Sequence, residues 1–281
     1  MKIIHHWNSK NLLDSPLFVP LQPIISQLNC KQFPVLDDWN RLLELKDRIS
    51  VKSGRPLRFV AQELGKLGFE SQYEPRCYLN GEVQTRDNNW HDCFNALVWL
   101  TFPKSKAAIN IRHYLTLHQL AQNIPQGVSG SQRGKERDMV TLLDESGVIV
   151  ACSNYALAEL LRTFNWKGLF WRQRSQLHNE MDFYVIGHGL YEKALQPYVG
   201  MTGQGLIVMV EAEFFKWSLD VKLAWLDQRV AYYVENSENC LTTRELQPVP
   251  LLGVPGWSAD NMYEQYYDNS EYFRPGRRRQ V

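Results

Sequence analysis

Residues 90–102, WHDCFNALVWLTF, constrain this chain most, because beyond their first turn they are apolar on nearly every side of a helix. At about 100° per residue from Trp90, the side chains of His91, Asn95 and Asp92 share one arc, and Val98, Phe102 and Trp99 continue it. A helix apolar all round must be buried, so the other elements have to wrap it. Its hydrophilic side chains gather at the N-terminal end, where backbone donors and the positive end of the helix dipole also point. Asn88 or Asn89 is placed to cap it. Pro103 cannot continue that helix without losing a hydrogen bond but suits the first position of another, which predicts a second helix over 103–123.

Around this pair the chain reads as α+β: a helix-rich single domain with a small mixed sheet built from two β-hairpins and later strands. Residues 1–38, with Pro16, Pro20, Pro23 and Pro34, are expected to wrap the body in extended form, with a short helix near 24–28. Residues 39–240 form the core. Asp37-Asp38 offers an N-cap for a helix over 39–49, and a second helix follows over 57–67, stopped by Gly68. Asn80-Gly81 suits a type I′ turn, so 73–79 and 82–85 are expected to pair as a hairpin. A Gly/Ser-rich loop at 125–131 precedes a second expected hairpin, 138–143 with 148–152, turned by Asp144-Glu145-Ser146-Gly147. Helices are predicted over 154–163, 166–177, 190–196 and 213–234, and strands over 183–186 and 204–210. Residues 241–281, rich in proline and aromatics, are expected to drape over the core.

With 281 residues, 44% of them hydrophobic, the chain can bury a core without metal or disulfide staples. Its net charge of +1 gives no field to steer it to nucleic acid or an anionic membrane. The one basic run, Arg277-Arg278-Arg279, reads as a solvated tail. Five widely spaced cysteines without a CxxC pair suit reduced thiols. No apolar run approaches the ~18 to 20 residues of a membrane span, nor is there a signal-type N-terminus, so a cytoplasmic protein is expected.

His91, Asp92 and Asn95 are the first candidate site residues. His188 is next, since Gly187 and Gly189 flank it at a strand-to-helix turn and Glu192 lies one helical turn on, where it could orient the imidazole or share a metal. Arg137 and Asp138 precede the second hairpin, and Arg137 could pair with a carboxylate. Lys104, Ala108 and Arg112 share a helix face with Lys106 and Asn110 beside it, which suits an anion or a solvated surface. Glycine-rich nucleotide motifs, a GxSxG elbow and zinc-type Cys/His spacings are missing.

Trp90-His91-Asp92 with Phe94-Asn95-Ala96-Leu97-Val98-Trp99, Arg137-Asp138 with Thr141 and Asp144-Glu145-Ser146-Gly147, and Gly187-His188 with Glu192-Lys193 resemble the bacterial family called domain of unknown function 3025. So does the tail, in Pro255-Gly256-Trp257, Asp260-Asn261, Tyr267-Asp268 and Phe273-Arg274-Pro275. Gly189 stands where the resemblance implies Ala, and no activity comes with it. From the residues themselves the expected function is a hydrolase-like enzyme. His91, Asp92, Asp138, His188 and Glu192 would be catalytic, and Asn95, Lys104 and Arg137 would bind a small anionic phosphoester or amide, with a divalent metal as the cofactor these side chains could hold. The alternative is a binding or scaffold protein in which the same side chains are a buried structural network.

Overall fold

A computed structural model describes residues 7–28, 31–46, 48–63, 65, 68–122, 130–236 and 242–276, with the backbone alone for 130–137. The 125–131 loop lies almost wholly, and the Arg277 run entirely, outside the described residues.

The N-terminal segment is not extended. It folds as α1 (Ser9–Asp14), a 3-10 turn (Pro16–Leu21) and α2 (Gln22–Ile25). Pro16 and Pro23 sit in first turns, where the missing N–H is not needed, so the prolines start helical turns rather than forbid them. α3 (Leu36–Glu44) begins before the predicted cap, because Asp38 accepts from the Val35 N–H from inside the first turn.

β1 (Arg58–Ala61) replaces the helix expected over 57–67. α4 (Tyr73–Asn80) replaces the first arm of the expected hairpin, and β2 (Glu82–Thr85) pairs in parallel with β1 instead. Gly81 does take a positive φ of 74°, but it does so as the left-handed cap of α4.

α5 (Trp90–Thr101) and α6 (Pro103–Ala121) form as predicted. Asn89 caps α5 by accepting from the Asp92 N–H at 3.0 Å, and every residue from Asp92 to Leu100 is buried. Asp227 caps α6 by accepting from the N–H groups of Lys104 and Ser105.

The second expected hairpin is also half helix. α7 (Gly130–Ser146) runs into β3 (Gly147–Cys152), so residues 138–143 are helical and only the second arm is a strand. Met139, Val140, Leu143 and Asp144 are buried at i, i+1, i+4 and i+5, a helical stripe. A Cβ at Gly147 would lie 2.2 Å from the Leu143 carbonyl oxygen, so only glycine lets the chain leave the helix this closely.

α8 (Tyr155–Arg162), a π-turn (Gly168–Arg172), α9 (Arg174–Glu180), β4 (Met181–Val185), α10 (His188–Ala194), β5 (Thr202–Met209), α11 (Leu219–Glu235) and β6 (Gln247–Pro250) complete the chain. The tail thus adds an edge strand as well as covering the body. The second sheet has the order β4-β3-β5-β6, with β3 antiparallel to β4 and parallel to β5. All of β3 is buried, as a strand covered on both faces requires. The fold is α+β, helix-rich with a two-stranded parallel sheet and a four-stranded mixed sheet rather than one built from hairpins. α5 packs on α10, and α7 packs on both α6 and α10.

Candidate metal centre

Two helix starts and one helix end meet at one point. His91 is the second residue of α5, His188 opens α10, and Glu145 lies in the last turn of α7. Backbone contact brings them together: the Gly187 N–H donates to the Gly147 carbonyl at 3.0 Å, and a Cβ on Gly187 would fall 2.4 Å from the Gly147 nitrogen. Glycine there lets the turn after β4 lie against the junction of α7 and β3. Gly189 has a related role, since its Cβ would stand 2.3 Å from Glu145 Oε2.

The Nε2 atoms of His91 and His188 are 3.1 Å apart. Glu145 Oε1 lies 3.5 Å from His188 Nε2 and 4.0 Å from His91 Nε2. Donor atoms about 2.0–2.1 Å from a tetrahedral ion are separated by ~3.3–3.4 Å, so this triangle is close to the size an ion would demand. Each of the three residues offers one ligand atom, and no other such group occurs among the described residues.

The outward ring nitrogens decide whether the three inward atoms are all acceptors. His91 Nδ1 lies 3.3 Å from Glu192 Oε2, and a carboxylate only accepts, so this contact is a hydrogen bond when the ring proton sits on Nδ1. His188 Nδ1 is buried against Asp144, whose backbone bonds the histidine and whose Oδ2 lies 3.7 Å from it. A lone pair facing that carboxylate would be repelled, which favours a proton on Nδ1 there too. With both protons on Nδ1, the two Nε2 lone pairs face each other across 3.1 Å with a carboxylate beside them, an arrangement that a cation relieves; without one, a proton on either Nε2 makes the contact a hydrogen bond.

Burial, against the pull of Asp144 and with Lys106 and His91 adding to it, pushes His188 down to about 3, so its ring is neutral and able to ligate. Asp144 is held down to about 2: burial opposes its charge, but Lys106, whose Nζ is 2.5 Å from Oδ1, and then His188 outweigh it. Burial pushes the Glu145 carboxyl up, with His91 countering.

The other expected site residues go elsewhere. Asp92 is held by Arg86, which donates from its backbone N and Nε to Oδ2 and from Nη2 to Oδ1 at 2.8–2.9 Å, so its carboxylate is engaged outside the cluster. Asn95 lies one turn deeper in α5 and donates to the Tyr73 hydroxyl at 2.7 Å. Asp138 is exposed on α7, seven residues or ~10 Å before Glu145. Lys104 is exposed above the Asp227 cap, away from the cluster's helix ends. The Arg137 side chain lies outside the described residues. Of the eight, His91, His188 and Glu192 are brought together.

The family described as Protein of unknown function (DUF3025) matches residues 57–277, nearly the whole chain after α3. The chain belongs to that family. No curated protein and no solved structure matches it. The DUF3025 region contains all three clustered donors and both outer carboxylates, whereas α1 to α3 lie before it. Within this region Glu145, Asp144 and Lys106 are not among the site residues expected from sequence, Lys106 being read only as a neighbour of an anion-binding or solvated helix face. The first two were absorbed into a turn signature. The available signal was the helical stripe through Met139, Val140 and Leu143, which puts Asp144 on a buried face. A groove of about 1590 Å³ bordered by Arg162, Trp166, Arg244 and Tyr272 holds none of these residues.

Proposed function

We propose that this protein is a hydrolase-like enzyme in which His91, His188 and Glu145 hold a divalent metal ion that acts on a small anionic substrate, a phosphoester or an amide. The observation that carries this reading is the convergence of three atoms able to ligate, 3.1 to 4.0 Å apart, with a carboxylate behind each imidazole. Two histidines and one carboxylate leave a coordination position open, as catalytic sites do. When bound, the ion supplies Lewis acidity and lowers the pKa of a coordinated water. The chain's part is to turn both imidazoles' Nε2 atoms to one point, to hold His188 neutral by burial, and to keep the Glu145 carboxylate beside them. Arg86 and Lys193 favour an anion: Arg86 is exposed near Glu192, and the exposed Lys193 biases Glu145 towards its charged form.

We place the enzyme in the bacterial cytoplasm, a compartment that suits the buried thiols of Cys77 and Cys152. No helix among the described residues is long and apolar enough to cross a membrane. The net charge of +1 favours a small ligand over nucleic acid.

The test is hydrolysis of 4-nitrophenyl phosphate and of simple amides by purified full-length protein, with zinc or manganese supplied and then chelated. Metal-dependent turnover that His91→Ala and His188→Ala both abolish is the expected result. Turnover unaffected by chelation and by both substitutions would contradict it. A structural-network reading is favoured by one observation: Asn95 on Tyr73 and Asn110 on Glu74 extend the polar cluster inward, away from any opening. Under it the two histidine variants lose thermal stability and the protein takes up no metal.

A further inference from the structure

Lys106 is one of the least exposed charged side chains in the described chain, at 3%, and it lies in the first turn of α6. Its Nζ is paired with Asp144 and sits 5.7 Å over the Trp99 ring. A buried ion pair is a poor stabiliser, since well-packed apolar residues of similar volume often do as well or better. Its placement supplies another reason. One Asp144 oxygen is taken by Lys106, while the other faces His188 Nδ1 at 3.7 Å, and the Asp144 backbone also bonds that histidine, so the place of Asp144 fixes the ring twice over. Asp144 also precedes Glu145 in the last turn of α7, so holding one carboxylate holds the backbone that carries the other.

We infer that Lys106 is a positioning residue for the metal centre: through Asp144 it sets the tautomer and tilt of His188 and the reach of Glu145, two of the three donors. The inference rests on the metal reading above. Lys106 touches no donor atom itself. Its neighbours on the same face of α6, Asn110 and His113, are buried and lead to Glu74, so the lysine is the end of the polar stripe nearest the centre. Carboxylates behind ligating histidines typically change metal affinity ~10–100-fold when altered.

The experiment is a calorimetric titration of Zn²⁺ into metal-free full-length protein, comparing wild type with the double variant Lys106→Met/Asp144→Asn. That pair removes both charges at nearly constant shape, so no unpaired charge is left buried. The expected result is an unfolding temperature near that of wild type without zinc and a zinc Kd weakened by about tenfold to a hundredfold. Equal zinc affinities in the two proteins would overturn the inference while leaving the metal reading standing. A wild type that takes up no zinc would remove both. Imidazole ¹⁵N NMR of zinc-free wild type is a second readout that does not depend on the variant folding. It is expected to show His188 fixed as the Nδ1–H tautomer, and an averaged tautomer there would overturn the positioning role.

Discussion

The two halves of the centre make the same pairing in opposite surroundings. In both, a histidine offers Nε2 inward and turns Nδ1 to a carboxylate. His188 and Asp144 are buried, and Lys106 behind them is buried too. His91 is about a third exposed and Glu192 about half exposed. Exposed ion pairs contribute ~0–1 kcal/mol, because water and salt screen them and long side chains lose freedom in making them. A buried pair behaves differently: keeping it contributes little, but removing one partner strands a charge. The inner half is therefore a fixed anchor and the outer half an adjustable one.

The sharpest break in that comparison comes from Lys106→Met alone. It strands Asp144, and the loss is expected to be about 3–5 kcal/mol in urea unfolding. Glu192→Gln, at the exposed outer pair, should cost less than about 1 kcal/mol in the same assay. Comparable losses on the two sides would end the distinction.

Acid sharpens it next. His188 has a folded pKa of about 3, below its unfolded ~6.5, so between these values the unfolded chain binds the extra proton. Stability of the metal-free protein then falls as pH falls from ~6.5 towards 3, by up to about 1.4 kcal/mol per pH unit from this group. Asp144, folded at about 2 against an unfolded ~3.9, stabilises above ~3.9, and that contribution is lost as pH falls further through 2. Denaturant melts from pH 7 to 3 should show this limb flattened in His188→Gln and kept in His91→Gln.

The smallest expected effect is on metal binding through the outer half. Glu192→Gln should weaken zinc less than tenfold, since an amide oxygen still accepts from His91 Nδ1. A loss as large as that of the Lys106/Asp144 double variant would reverse the roles of the two halves.

Much of the scaffold around the anchor is readable from residues alone. α5 and α6 carry a continuous apolar helix, an Asn cap and a Pro start, three signals that agree. The strands β3 and β5 are apolar runs and were legible too. α4 and α7 were not, because Asn80-Gly81 and Asp144-Glu145-Ser146-Gly147 are punctuation that ends a helix as well as it turns a hairpin. That ambiguity also hid the third donor. Asp138, expected at the centre by a strand reading, is two helical turns from Glu145, which is there. Lys104 and Lys106 differ by ~200° around α6, so one is solvated and the other is the buried partner of Asp144. His91, His188 and Glu192 could be nominated from local sequence. Their meeting depends on the close backbone approach of Gly187 to Gly147, a contact between segments 40 positions apart that no local pattern encodes.

The central claim is that three donors converge to hold an ion, and anomalous diffraction from crystals grown with zinc tests it most directly. The expected result is a single strong peak about 2.0–2.2 Å from His91 Nε2, His188 Nε2 and a Glu145 carboxylate oxygen. Crystals with no peak at that point, or with zinc bound only by other residues, would contradict it.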